Sequence, residues 1–494
     1  MMWSARVFAA LVLCCAFILA LGCAEPSARS AEAPDPVKLT SRERVFKVRS
    51  APTDPTWLRT PPALWPVRGA AAPAVVERRL ANGARVLIVE RHDFPSVSLA
   101  FVLDRGTCDG GAAAALYAFA FGSSTAESRH ESFSYLHWIG APVQMSVSED
   151  YLTLRSTVLP PLLSSAISRL APMFFAPGLS SEDLTYARDI WRDKLSREGV
   201  RATRLAERAL RESLFGRGAY GSVVVDASEL AAEPDARVRE FRRAALSPRH
   251  VSVVVVGDTT PDVVVQLLDQ YTRGLPRDEV APSGCAALPV PLRTAEIRII
   301  DERGAEQSRV SIGAVGVPVG HADGPALDVL SSALGVSLSG RLNLKIREQH
   351  GLSYGVHMRS EQWRAHGLIE VTASVETERT AEAVKGLLSE LDRAATEPLD
   401  EDELLGAKTK SFRDPGAHDE AAHLLAAVAA YGRSADEIAL RWNAISNVTA
   451  QDLTRIATKY LAPEHRVVTV VGDAARIRAS LGDLGIGRVV VEKR

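Results

Sequence analysis

Apolar residues along this chain come in blocks whose lengths and spacings predict the elements. ARVLIVE (84–90) and SVSLAFVL (96–103) are strand-length runs rich in β-branched residues. Asn82-Gly83 ahead of them marks a turn, and Pro95 separates the two. The valines of LSPRHVSVVVVGD (246–258) form an unbroken apolar run, the pattern of a buried strand. Two polar-headed segments, LSSEDLTYAR (179–188) and LDEDELLGAK (399–408), carry Ser180 with Asp183 and Asp400 with Glu403. That is capping-box spacing, so both predict helix starts. GGAAAALYAFAFGSST (110–125) differs from all of these. A Gly-Gly start leads into an apolar run that reads as a helix and holds no carboxylate, imidazole or thiol.

The pattern is written twice. LSPRHVSVVVVGD recurs as LAPEHRVVTVVGD at 461–473, with Leu, Pro, His, three valines, Gly and Asp in step. LSSEDLTYAR and LDEDELLGAK are a second matching pair. A repeat this long is a duplicated domain, since solenoid units recur every 20–50 residues or so. Each copy runs strands, helices, strands, helices, a buried strand and a last helix. The expected fold class is therefore α+β: two tandem homologous domains, each a mainly antiparallel sheet packed with helices. The division places domains at 75–275 and 295–494 around a Pro-rich linker at 276–294, after a tether at 23–74. His250 and His465 precede the buried strand in both copies, which predicts a shared structural role.

Composition narrows the function classes. The chain has 494 residues, 46% of them hydrophobic and 24% charged, with a formal net charge of −2. This is globular composition with no electrostatic footprint for nucleic acid. Residues 1–22 have the order of a secretory signal: a basic start, an apolar core and small residues. The segment ends LALGC, which resembles the bacterial lipoprotein box, and Cys23 is then the lipidated residue. Leu21 departs from the small residue usual there. Ala24 is not the Asp that commonly marks inner-membrane retention. The expected location is periplasmic, lipid-anchored, at the outer membrane of a Gram-negative bacterium. Cys108 and Cys285 remain in the mature chain. Pairing is open to them in an oxidising compartment, but two separate buried thiols are the simpler expectation.

GRLNLKIREQHGLSYGV (340–356) carries the chemistry-bearing pattern. Its RL, RE and GLxY elements, followed by GLIEVTASVETERTAEAV (367–384) and PLDEDELLGAKTK (398–410), resemble the second domain of the M16 peptidases. This is the pitrilysin, insulinase and mitochondrial processing peptidase family. LANG, FPSV, SEDYLTLRSTVLP and VVVVGD in the first half fit the same family, so the resemblance spans about 75–490. It implies a clam-like pair of α+β domains around a peptide. Active members carry His-x-x-Glu-His on the first long helix of the first domain. Two His ligate zinc, the Glu acts as general base, and a downstream Glu completes the site.

With Gly111 as the introducing Gly and Phe121 as the closing Phe, Ala114 and Ala118 stand where the His residues belong. Tyr117 stands where the base belongs. RDIWRDKL offers only Asp193 or Lys194 near the fourth position. A methyl has no lone pair and a phenol is a poor base at neutral pH. The resemblance thus implies a first-domain helix kept as scaffold, with no metal on this chain. Relocated sites are poor: His418 and His423 in HDEAAH are about 140° apart on a helix, and His130 and His137 are two turns apart. These read as surface or core-edge side chains. The family's edge-strand Asn-Ala pair is replaced by Gln144-Met145, leaving backbone pairing with peptide open.

In the family, the second-domain Arg and Tyr hold the peptide backbone and the tetrahedral oxyanion. Here they are Arg347 and Tyr354. Some bacterial members divide the zinc motif and the Arg/Tyr pair between two chains, and this sequence looks like the second chain. The leading expectation is a non-catalytic subunit in a heterodimer with a zinc-bearing homologue, the zinc residing on that partner and the substrate being a peptide. The alternatives are a structural or peptide-binding protein with no proteolytic role, and an active zinc peptidase with a relocated site.

Overall fold

Strand order repeats across the two halves. A computed structural model describes residues 73–121, 128–216, 219–272, 296–412 and 416–493, all within one compact unit spanning Leu64–Arg494. The expected signal, nearly all of the tether and the 276–294 linker lie outside the described residues. The first sheet is built from β1 (Val76–Arg79), β2 (Arg85–Glu90), β3 (Val97–Leu103), β4 (Gln144–Val147), β5 (Leu152–Val158) and β6 (Val251–Gly257). The second uses β7 (Glu296–Asp301), β8 (Gln307–Gly316), β9 (Ser353–Gln362), β10 (Gly367–Glu376), β11 (Val467–Gly472) and β12 (Arg488–Lys493). The orders are β1-β2-β6-β3-β5-β4 and β12-β7-β11-β8-β10-β9. Position for position, β2, β6, β3, β5 and β4 correspond to β7, β11, β8, β10 and β9. In both sheets the buried valine strand is parallel to one neighbour and antiparallel to the other. The sheets are thus mixed but mainly antiparallel, and the class is α+β.

The principal helices are α1 (Ala112–Ala120), α2 (Leu163–Phe175), α3 (Ser181–Ser196), α4 (Glu198–Phe215), α5 (Asp235–Ala245), α6 (Gly324–Ser331), α7 (Thr380–Thr396), α8 (Glu401–Ser411), α9 (His418–Ala430), α10 (Glu437–Asn447) and α11 (Ala450–Tyr460). The two capping boxes form as the spacing predicts: Ser180 and Asp183 open α3, and Asp400 and Glu403 open α8.

Each half lends a helix to the other. α9, from the second half, lies on the rear face of the first sheet, where Ala421, Leu425 and Ala426 pack on Leu87, Val102, Val254 and Val256. α4, from the first half, lies on the rear of the second sheet against β8 and β11. Gly313 of β8 makes room for it, since a Cβ there would stand 2.7 Å from a Leu210 methyl. Helices on the front and an exchanged helix behind leave β6 and β11 wholly buried, which is why both read as continuous valine runs instead of alternating. The exchange also buries charge. Arg211 of α4, fully enclosed, reaches Glu149 at 2.7 Å, Glu207 at 3.0 Å and Glu361 at 3.4 Å, and lies over the Trp363 ring.

Three expectations change here. Cys108 is disulfide-bonded, not a separate thiol; the other four cysteines lie outside the described residues. His418 is a buried joint between halves, with Nδ1 2.9 Å from Ser96 Oγ and Nε2 3.1 Å from Asp93. The halves must be closed over it, so it is no surface side chain. His250 and His465 do not share a role. His250 Nδ1 sits 2.9 Å from Asp104 and its Nε2 2.9 Å from Arg105, whereas exposed His465 meets only the Lys459 carbonyl.

Candidate functional site

α1 starts at Gly111, whose φ of +52° suits glycine, and its alanine run has the highest helix propensity available. All nine residues are buried. Small side chains let α3 and α5 approach closely on one side while the sheet closes the other. Ala114 is hemmed in from α5: a Cβ on Gly110 would stand 2.5 Å from the Phe241 ring and 3.1 Å from the Ala114 methyl. Tyr117 joins an aromatic cluster, 4.8 Å from Phe121 and 5.7 Å from Phe241 between ring centres, and Phe121 stacks on Phe174 at 5.5 Å. Its hydroxyl is buried without a hydrogen-bond partner. Burial pushes that phenol far above its usual range, so it stays neutral and serves as no base near pH 7.

The fourth position is also filled by packing. Trp191 of α3 donates from Nε1 to the Ala115 carbonyl at 3.0 Å, pinning α3 to α1. Lys194 lies 4.6 Å over the Phe119 ring, and burial lowers its pKa. Asp193 points to solvent, 3.8 Å from Arg197. Zinc takes Cys, His or carboxylate ligands, and methyl groups, a neutral phenol and an ammonium are not such a set. The residues present therefore do not fit a zinc ion. Among the described residues no group of three His, Cys, Asp or Glu side chains is placed to hold a metal. His130, His137 and His423 are exposed.

The second-half segment is built the opposite way. A helical turn over Arg341–Asn343 widens into a π-type turn over Leu344–Gln349, and β9 follows. Arg341 anchors it from beneath. Its buried guanidinium pairs with both Glu403 oxygens, at 2.8 and 2.6 Å, and donates to the carbonyls of Glu397 and Pro398. Asn343 clamps turn to strand: Nδ2 donates to the Val356 and Ser337 carbonyls, and Oδ1 accepts from Val356 N at 2.8 Å. On this base the Arg347 guanidinium sits 5.2 Å from the centre of the Tyr354 ring, with Glu348 3.4 Å from Nε. Tyr354 is 90% exposed.

A ring so exposed touches almost nothing of its own chain, and residues 114, 117 and 118 are fully buried. The structure therefore keeps Arg347 and Tyr354 together but does not bring them onto α1. β4, which carries Gln144 and Met145, ends the first sheet, and β9 ends the second. Arg341 and Asn343 are the site residues that sequence reasoning missed. The signal was present: an Arg and an Asn two apart, directly ahead of the Arg347 turn.

Comparison with known proteins agrees with this architecture. A family profile described as "Peptidase M16 inactive domain" matches residues 235–411. An uncharacterized zinc protease of Mycobacterium bovis is 26% identical over 308 residues, covering 61% of this chain and 69% of the relative. One from Bacillus subtilis is 22% identical over 322 residues, 63% of this chain and 77% of the relative. Among solved structures, a peptidase M16 inactive domain from Pseudomonas fluorescens superposes with a TM-score of 0.72 at 18% identity, over 81% of this chain and 98% of the other. A protease from Helicobacter pylori gives 0.73 at 16% identity, over 81% and 99%. The profile's description fits a non-catalytic M16-like protein, and the relatives' names fit the family's zinc-protease character. With the duplicated sheets, the apolar α1 and the Arg347–Tyr354 turn, the chain resembles the M16 peptidases in sequence over its second half and in fold over both.

Proposed function

We propose that this chain is the non-catalytic subunit of a two-chain M16 peptidase, lending Arg347 and Tyr354 to the zinc site of a homologous partner. One observation carries the reading. A half-buried arginine and an exposed tyrosine stand together on a turn fixed from beneath by Arg341 and Asn343, while among the described residues no metal-binding cluster stands with them. A planar cationic donor suits peptide carbonyls, and a phenol hydroxyl suits a developing oxyanion. The open edge of β4 suits pairing with an extended peptide. The chain is exported and held to the outer membrane through lipid on Cys23. The amino-terminal apolar run ending LALGC supports this, and so does the disulfide at Cys108, since such bonds persist in oxidising compartments.

The test is recovery of the chain from native membranes with whatever binds it. The reading expects a zinc-bearing homologue and a chelator-sensitive peptidase activity. Arg347→Ala and Tyr354→Phe should cut that activity at least tenfold with the complex intact, the scale of losing one transition-state donor. Full activity in both variants would sink the reading.

A further inference from the structure

Where the connection from β2 to β3 meets the start of α9, three side chains form a run of hydrogen bonds that the proposed function does not use. Ser96 Oγ lies 2.9 Å from His418 Nδ1, and His418 Nε2 lies 3.1 Å from Asp93. Gly257 leaves room for the ring, since a Cβ there would stand 3.0 Å from Nδ1. Nδ1 is also 3.0 Å from the Ser96 carbonyl, so the tautomer decides which oxygen it meets. Asp93 sets that tautomer. Arg91 grips its carboxylate at 3.1 and 2.5 Å and, with His418, holds it well below the usual carboxylate range. An ionised carboxylate at Nε2 keeps the ring proton there, which leaves Nδ1 as the acceptor for the Ser96 hydroxyl.

These three residues are not sealed in packing. All of them line a cavity of about 660 Å³, a volume within the range of small-molecule sites. Leu99, Pro142 and Ala422 supply apolar wall, and Phe94, itself exposed, stands edge-on to the His418 ring. α9 opens onto the same cavity through Gly416, Ala417 and Asp419. Its N-cap is Ala417, which has no side chain to bond the first-turn amides. Such amides are unpartnered within a helix and carry the positive end of its dipole, the arrangement that receives a developing oxyanion. Nucleophile, base, orienting acid and oxyanion donors thus meet around one cavity.

We infer that Ser96, His418 and Asp93 form a serine-esterase site that hydrolyses a carboxylic ester with a short apolar acyl chain. Ser96 Oγ attacks the ester carbonyl carbon while its proton passes to His418 Nδ1, and the first-turn amides of α9 receive the oxyanion. The intermediate then breaks its bond to the alkoxide, which leaves as an alcohol with the proton from His418, and the acyl group stays on Ser96. Water attacks that acyl ester with His418 again as base, releasing the carboxylic acid and restoring the serine. The apolar walls take the acyl chain. The inference is independent of the proposed function, because it needs neither zinc, nor a partner chain, nor the Arg347–Tyr354 turn.

The mature chain, with Cys23 replaced by Ser, is tested with a fluorophosphonate probe, which bonds covalently to activated serines, and with p-nitrophenyl butyrate as substrate. Peptide mass spectrometry should place the phosphonyl group on Ser96, a result that needs no variant to be folded. Ester hydrolysis should exceed the buffer rate and be unaffected by a chelator. Ser96→Ala should abolish labelling and cut hydrolysis at least about 100-fold, the scale of losing a nucleophile. Asp93→Asn, at a side chain more than half exposed, should cut it about as far at an unchanged melting temperature, because the amide no longer fixes the ring proton on Nε2. An unlabelled Ser96, hydrolysis no faster than buffer, or equal hydrolysis by Ser96→Ala would each overturn the inference and leave the three residues as a joint between halves.

Discussion

The two segments that the M16 resemblance singles out, α1 and the 341–356 turn, are built in opposite ways. α1 is buried on every side, its residues 114, 117 and 118 contributing methyl groups and an unionised phenol. The 341–356 turn puts its Tyr into water beside a half-buried Arg and spends its buried polar contacts on holding them there. The contrast teaches that a scaffold and its chemistry separate cleanly. Packing alone accounts for the helix without any ligand on it, because α3, α5 and the sheet need something small and apolar between them. Packing does not explain an exposed tyrosine on a clamped turn. If the account is right, stability and activity should rank the residues of these two segments in opposite orders.

The largest effects on stability should come from groups with no chemical role. Arg341→Ala leaves Glu403 without its pair and two carbonyls without donors, and should cost about 3–5 kcal/mol in denaturant unfolding. Tyr117→Ala opens a cavity in the aromatic cluster and should cost about as much. Asn343→Ala removes two short bonds from the turn to β9 and one to the Ser337 carbonyl, for a loss of roughly 2–3 kcal/mol. It should also lower the partner-dependent activity by loosening Tyr354, at doses where the chain is still folded.

A pH effect comes next. Burial raises the carboxyl of Asp109, beside the start of α1, to about 6. A raised acid binds its proton more tightly in the folded chain, so its contribution is full below about pH 4 and is lost as pH climbs through 6. Stability should fall by roughly 2–3 kcal/mol across that window from this group. Asp109→Asn, which keeps an acceptor for the Gly106 amide, should flatten the curve there. The smallest stability effects, within about 0.5 kcal/mol for exposed Tyr354→Phe and about 1 kcal/mol for half-buried Arg347→Ala, should belong to the pair whose loss the activity assay chiefly registers. A large stability loss in either variant would return the pair to the structural class.

Much of this was readable from residue order. The duplicated valine strand and the two capping boxes carried the α+β class and the repeat, because strand burial and helix entry are local signals. The absence of ligands on α1 was legible residue by residue. The helix exchange was not, since nothing local in α4 or α9 says which sheet a helix will cover. Gly313 meets Leu210, and Arg211 meets Glu361, across more than a hundred residues. His418 shows the same limit: the partners that bury it, Ser96 and Asp93, are in the other half.

The most direct test of the central claim is the zinc content of the purified mature chain, expressed alone with Cys23 replaced. The account predicts no stoichiometric zinc after equilibration with the metal and removal of the excess. One zinc held per chain would contradict it, and would return this protein to the enzymes that carry their own metal.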